Sequence, residues 1–440
     1  MNVHANESLT SGTHRQLVDV ERGIVEREAF VSDQVFADEI KNIFQKKWIY
    51  LAHESEIPEA GNYVTRLLGD ASVIIVRSAK GQFHGILNSC RHRGTELCRA
   101  DAGRLKRFVC PYHGWSYEHD GKLISTAFDT HMPPDMDFSA WTLIRVPRLE
   151  SYKGLIFGCW DKSVEDLAEY LGDFRFYLDA FAARTPEGME VLAPPHRWRA
   201  KTNWKVGALN FLGDGQHLQF THAGPLALDP VRAAKKGLAI RAAQSVQVIV
   251  DGRHGCNLNY LAPDLPAVEY ETRPTELLPV YAQMLSPLQN RLLNDLRVGV
   301  GTIFPNLSFI ESQVATRAKA LILRQWQPIS ATEMEVLSWI LAERESSADY
   351  KAQLVAKGIH NFGVAGVFEQ DDMVLWQSGT SGSRSPISHS YPFSFMSALP
   401  FREHPLVDFY GPGRAYSQTL TEISQLEFMN TWQEQLRMHA

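Results

Sequence analysis

Apolar positions recur along this chain in two rhythms, and the change from one to the other marks its organisation. Ser32 and Asp33 can cap a helix whose Phe36, Ile40, Ile43 and Phe44 fall at i, i+4, i+7 and i+8, one face of a 3.6-residue period. From Trp48 the rhythm shortens. Tyr63–Leu68, Ser72–Arg77 and Gln82–Asn88 read as short strands, the last two joined by a turn at Lys80-Gly81. Gly154–Trp160 reads as the last strand of the same small β domain. Beyond it, Ser163-Val164-Glu165-Asp166 resembles a capping pattern ahead of Leu167, Tyr170 and Leu171.

The second half mixes long strands with long helices. Arg197–Lys205 predicts a strand, and Trp204–Leu218 begins a helix. Val246–Val250 and Cys256–Leu261 flank Asp251-Gly252 as a hairpin. Leu277, Tyr281, Met284, Leu285, Leu288 and Leu292 have helical spacing and read as core. Thr302–Ile310, Ala315–Trp326 and Met334–Leu341 predict strands, Tyr350–Gly358 a short helix and Ser417–Met438 a final amphipathic one. Residues 1–16 predict no order. There is no internal repeat, and the mixture predicts an α+β second domain built on an antiparallel sheet.

Composition narrows the class without naming it. At 440 residues the chain can hold two domains, and 44% hydrophobic with 21% charged residues is ordinary for a soluble enzyme. A net charge of −6 gives no reason to expect nucleic acid. No apolar run reaches the roughly 18 residues of a bilayer span, and the polar N-terminus lacks a signal peptide's apolar core, so a cytoplasmic location away from membranes is expected. Five cysteines make an odd and small set for disulfides. Cys98, Cys159 and Cys256 read as buried small hydrophobes.

The other two cysteines carry chemistry. Cys90-Arg91-His92 is followed by 17 residues and then by Cys110-Pro111-Tyr112-His113. Each short loop offers one thiolate and one imidazole, as a Rieske [2Fe–2S] centre requires: two Cys on one iron, two His on the other. A structural zinc site also takes Cys2His2, but zinc fingers pair like with like. Gly94 and Gly114, after each pair, allow the tight turn that brings amides toward the inorganic sulfides. The span also carries Arg91, Arg93, Arg99, Arg104, Lys106 and Arg107 against only Glu96 and Asp101. A solvated loop face and a docking patch for an acidic electron donor both fit.

A second donor set lies in Asn210–His222. Asp214 and His217, three apart, share a helix face. His217 and His222, five apart, diverge by about 140° on a regular helix, so one metal takes both only if the helix bulges or stops. Ala223-Gly224-Pro225 offers a stop just beyond. With a remote carboxylate, the two histidines would complete the 2-His-1-carboxylate triad of non-haem Fe(II) oxygenases. A one-electron centre needs an acceptor, and such an iron is one.

These motifs, together with Ser151–Gly158, Asn203-Trp204-Lys205, Phe304-Pro305-Asn306 and Gly366–Asp372, make the chain similar to the large (α) subunits of Rieske non-haem iron ring-hydroxylating oxygenases. That is the family of naphthalene, biphenyl and phenylpropionate dioxygenases, and the resemblance covers nearly the whole chain from Trp48 on. It implies a helix-grip (START-like) catalytic domain of antiparallel sheet and helices, with the small all-β Rieske domain inserted into it. On this reading residues 1–46 pack on the catalytic domain, 47–166 form the cluster domain and 167–440 hold one mononuclear Fe(II).

Position by position, the resemblance implies His217, His222 and Asp372 as iron ligands. The sequence alone does not separate Asp371 from Asp372; similarity to the family motif favours the second. Asp214 resembles the family's bridging aspartate, which links an iron-ligand histidine to a cluster histidine, here His113, of the neighbouring subunit. Asn210 falls near the iron, and Phe211, Phe362 and Phe368 fall where pocket walls are expected. Leu209 departs from the pattern, which often has an acid there. Arg297 and His360 lie near segments expected to line the pocket.

The implied reaction is cis-dihydroxylation of an aromatic substrate by O2. Its electrons come from NAD(P)H through a separate reductase and often a ferredoxin, in agreement with the lack of a G-x-G-x-x-G opening a βαβ unit. The implied assembly is a trimer of α subunits, with or without three small β subunits. Rival expectations are a Rieske monooxygenase (a salicylate-type hydroxylase or an oxidative demethylase), a pure electron-transfer protein, and a zinc-stabilised binding protein.

Overall fold

The computed structural model describes residues 16–224, 245–260, 273–312, 319–417 and 420–438. The segment predicted to lack order, apart from Gln16, lies outside them. Ser32 caps the Asp33–Glu39 helix as expected, its hydroxyl accepting from Val35 N, and the turn continues as a π-helical stretch over Ile40–Phe44. The chain then passes into the β unit through Ile49–His53 and leaves it through Leu155–Cys159. These two strands are antiparallel neighbours, with Arg148–Tyr152 as the third. Adjacent strands for arrival and departure are the geometry of an inserted domain.

Above this base, Asn62–Leu68, Ala71–Arg77 and Phe83–Leu87 form a meander edged by Ala102–Arg104. A second small sheet holds Phe108–Val109, Ser116–Tyr117 and Leu123–Ser125. Cys90, Cys110, Trp115 and Tyr117 are buried in the core between them.

The second half is organised by a nine-stranded antiparallel sheet. Its path runs Met189–Val191, Glu333–Glu343, Ala320–Ser330, Leu307–Ser312, Leu296–Ile303, His254–Tyr260, Ser245–Val250 and Arg414–Ser417, with His196–Ala200 also paired to Glu333–Glu343. Strand alternation sends side chains to opposite faces. Trp339 thus meets Tyr50 of the inserted domain's base (ring centroids 5.1 Å apart), while Trp326 meets Phe211 (5.1 Å) and Trp376 (5.7 Å) from helices. Gln325 Nε2 donates to Tyr50 O at 2.7 Å, which ties the domains with a buried hydrogen bond.

Several expectations are corrected. Ser163 is no cap: its hydroxyl donates to Asp161 Oδ1 at 2.6 Å, and the helix starts at Leu167. Arg197–Lys205 is a strand only to Ala200, because Asn203 caps a helix at Trp204 by accepting from Lys205 N. Trp204–Leu218 is two helices, Trp204–Phe211 and Gly215–Phe220. Gly213 divides them at φ +115, and a Cβ there would lie 2.4 Å from Asn257 Cβ. The apolar run from Leu277 is also two helices, since the Ser286–Gln289 capping box starts a new one, and Met284 and Leu288 are exposed. Thr302–Ile310 is a hairpin turning at Phe304–Asn306.

Among the helices the sequence did not show, the one that bears on the site is Glu369–Ser383. It buries Glu369, Asp372, Trp376, Thr380 and Ser383, a stripe at helical spacing that is mostly polar. A search for apolar periodicity passes over it.

Candidate metal centres

The cluster loops are built from their own main chain. Cys90 N donates to Thr95 O and Gly94 N to Cys90 O, both at 2.9 Å; Cys110 N to Trp115 O (2.8 Å) and Gly114 N to Cys110 O (3.0 Å) repeat the pattern. Gly94 and Gly114 both have positive φ, so each loop closes without strain. Asn88 Oδ1 accepts from Leu97 N and Cys98 N, which fixes the stretch after the first loop. The result points two buried thiols and two half-exposed imidazoles at one place. The Nδ1 atoms of His92 and His113 are 3.1 Å apart, and the Tyr117 hydroxyl lies 3.3 Å from Cys90 Sγ.

The second centre is gathered from far along the chain. The Gly215–Phe220 helix ends between the two histidines, so the divergence of about 140° does not apply. The stop falls before His222; the expected breaker, Ala223-Gly224-Pro225, runs into residues outside those described. His217 and His222 Nε2 lie 3.6 and 3.4 Å from Asp372 Oδ1, and Asp371 Oδ2 lies 3.4 Å from His222 Nδ1. The paired acids thus differ in place: Asp372, 7% exposed, sits between the two Nε2 atoms, and Asp371 stands behind one imidazole.

His217 Nδ1 hydrogen-bonds the carbonyl of Asp214. That contact fixes the tautomer with the Nε2 lone pair free, as a metal requires. Burial opposes a charge on His217, yet the Asp214 hydrogen bond and the charges of Asp372 and Asp214 hold its pKa above the usual imidazole value. A bound cation would replace that proton.

Asp214 caps the helix, its Oδ1 accepting from His217 N at 3.2 Å, and its side chain remains 39% exposed. Asn210 is half-buried on the preceding helix. Phe368 meets His222 edge-on at 5.1 Å and Phe362 at 5.8 Å, whereas Phe211 packs on Trp326. His360 is exposed on the Ala348–Phe362 helix, and the side chain of Arg297 lies outside the described residues. Leu209 is buried among apolar side chains.

Sequence reasoning missed the groups that hold this centre. Lys205 and Glu39, both with fully buried side chains, form an ion pair, and Glu39 also accepts from Trp204 Nε1 (3.0 Å) and Trp432 Nε1 (2.7 Å). Arg324 pairs with Glu369 and donates to Phe362 O at 2.8 Å, which anchors the helix that carries Asp372. Gln247 and Asn257 both donate to Gly213 O, at 3.4 and 3.2 Å. A lysine and a glutamate 166 residues apart give no local signal.

Among the described residues, one set of three donors comes together with all ligand atoms within 4.8 Å: His217, His222 and Asp372. No described helix is long and apolar enough to cross a membrane.

Paired Cys/His loops in one domain and a 2-His-1-carboxylate set in another define a non-haem iron oxidoreductase of the Rieske class. The Rieske [2Fe-2S] domain family matches residues 47–134, and the catalytic domain of the ring hydroxylating alpha subunit matches 177–437. The chain belongs to the ring-hydroxylating oxygenase α-subunit family. It is 31% identical over 429 residues to the N,N-dimethyl phenylurea N-demethylase subunit alpha of Sphingobium sp., covering 95% of this chain and 92% of that one. It is also 31% identical to the biphenyl 2,3-dioxygenase subunit alpha of Rhodococcus jostii, covering 86% and 82%. The crystal structure of naphthalene 1,2-dioxygenase from Rhodococcus sp. bound to indole matches with a TM-score of 0.88 and 33% identity, over 94% of each chain. The family's cofactors are an iron–sulfur cluster and a non-haem iron, and both donor sets fit them.

Proposed function

We propose that this chain is the terminal oxygenase of a multicomponent system that cis-dihydroxylates an aromatic substrate. The observation that carries the reading is the approach of His217 and His222 Nε2 to Asp372 beside the Phe362–Phe368 wall. In such a site the cluster supplies electrons singly and the mononuclear iron activates O2. Cys90, His92, Cys110 and His113 hold the first group; His217, His222 and Asp372 hold the second.

The remaining work belongs to the protein. Asp371 orients His222 through Nδ1, and the Asp214 carbonyl holds the His217 tautomer. Phe362 and Phe368 keep water from the reacting ring and suit a flat apolar substrate. The exposed carboxylate of Asp214 is free to meet His113 of the partner subunit in a trimer of α subunits, with or without small β subunits. Electrons come from NAD(P)H through a separate reductase or ferredoxin.

A second reading, oxidative N-demethylation, is favoured by the phenylurea demethylase relative, which matches over 95% of the chain. Turnover of aromatic substrates under isotopically labelled O2 separates the two. Dioxygenation places two labelled atoms on adjacent ring carbons. A single labelled oxygen, or release of formaldehyde, would replace it with the monooxygenase reading.

A further inference from the structure

The two cluster imidazoles stand in different surroundings. His113 is covered by Tyr112 (ring centroids 3.7 Å), itself 59% exposed. His92 instead stacks flat on buried Trp115, with centroids 4.9 Å apart and planes 7° apart. Trp115 meets Trp141 edge-on at 5.7 Å, and Trp141 is 38% exposed. An unbroken run of aromatic rings therefore leads from a cluster ligand, His92, to the surface at Trp141.

Phe138 and Ser139 of the Phe138–Trp141 turn, with the adjoining Thr142, flank Trp141 in the chain and line a groove of about 760 Å³. Phe138, Trp160 and Ile144 (44% exposed) give it an apolar floor, and Lys122, Arg145 and Lys162 rim it; no carboxylate lines it. Asp120 pairs with Lys122 (3.4 Å) and Arg145 (3.2 Å), so the four groups keep a surplus of positive charge within a chain of net charge −6. A positive rim around an exposed apolar centre fits an acidic protein partner that must dock fast and leave fast.

We propose that an acidic one-electron carrier protein docks in this groove and that the electron passes through Trp141 and Trp115 to His92. The inference rests on the reading of the chain as an oxygenase fed with single electrons. One electron leaves the donor's reduced iron–sulfur centre and one arrives at the oxidised cluster; no bond forms or breaks. His92 then serves arrival, and His113 is left for transfer onward. The basic residues of the ligand loops, Arg91 to Arg107, become a rival surface that the same experiment reads.

The test is stopped-flow reduction of the oxidised holoenzyme by a reduced acidic plant-type [2Fe–2S] ferredoxin across a salt series, with dithionite reduction in parallel. In the Lys122→Glu/Lys162→Glu variant the second-order rate should fall about tenfold or more and lose most of its salt dependence. Lys162→Glu alone, on an exposed side chain, should show the same trend if the double variant folds poorly. Trp141→Leu should lower the limiting rate at saturating donor and leave the salt dependence unchanged. Dithionite should reduce the cluster in every variant. Unchanged ferredoxin rates in the groove variants, or a loss confined to Arg91→Glu/Arg107→Glu, would overturn the proposal and leave the oxygenase reading intact. Failure of dithionite to reduce the wild-type cluster would strike the oxygenase reading itself.

Discussion

Cys90, His92, Cys110 and His113 come from two loops that close on their own amides, within one small β domain. His217 comes from one helix, His222 from the turn just past its end and Asp372 from another helix, 150 residues beyond His222. The first centre is held by local hydrogen bonds and could be read from spacing. The second depends on groups that lie far apart in the chain: Glu39 against Lys205, Arg324 against Glu369, Gln247 and Asn257 against Gly213. Damage to the catalytic half should therefore leave the cluster standing.

The strongest separation should come from the ligands themselves. Asp372→Ala should lower turnover by more than ~100-fold, beyond the usual cost of losing an outer partner, while the Rieske EPR signal persists on reduction. Cys90→Ser should do the reverse, removing the cluster and leaving divalent metal binding at His217 and His222.

Next in size is the buried ion pair. Lys205→Met leaves Glu39 charged and uncompensated in an apolar setting, and should destabilise the catalytic half by about 3–5 kcal/mol in denaturant unfolding. An unchanged midpoint would mean that the tryptophan N–H groups suffice for Glu39.

Acid should also act on the catalytic half. Burial and the nearby Arg253 lower His254 to about 3, and its Nε2 faces Tyr170 O while Nδ1 accepts from Phe304 N. The unfolded imidazole takes a proton below about 6.5, so this contribution is complete above that pH and is lost as pH falls toward 3. At pH 5 the loss is about 2 kcal/mol. His254→Gln should flatten the pH dependence of stability by about one proton over that window.

The smallest effect belongs to the acid behind the ligand. Asp371→Asn removes the charge that orients His222 and should weaken metal binding by about 10–100-fold, read by Co(II) titration of the iron-depleted protein. Equal losses for Asp371→Asn and Asp372→Asn would erase the distinction between the paired acids.

The same contrast explains what the sequence made legible. The small strands and the hairpin about Asp251-Gly252 are local patterns, and the structure places them as read. The stop between His217 and His222 was foreseen as a need but placed too late, because Pro225 was the visible breaker and the break before His222 has no side-chain signature. The Glu369–Ser383 helix was invisible because its buried face is polar. Its first-turn acids Glu369, Asp371 and Asp372 suit a helix N-terminus, and that charge pattern was the available signal.

The most direct test of two iron sites in one chain is metal and acid-labile sulfide analysis of fully active protein beside its Asp372→Ala variant. Three irons and two sulfides per chain in the first, falling to two irons with both sulfides kept in the second, is the predicted result. Full activity with no iron beyond the two of the cluster would contradict it.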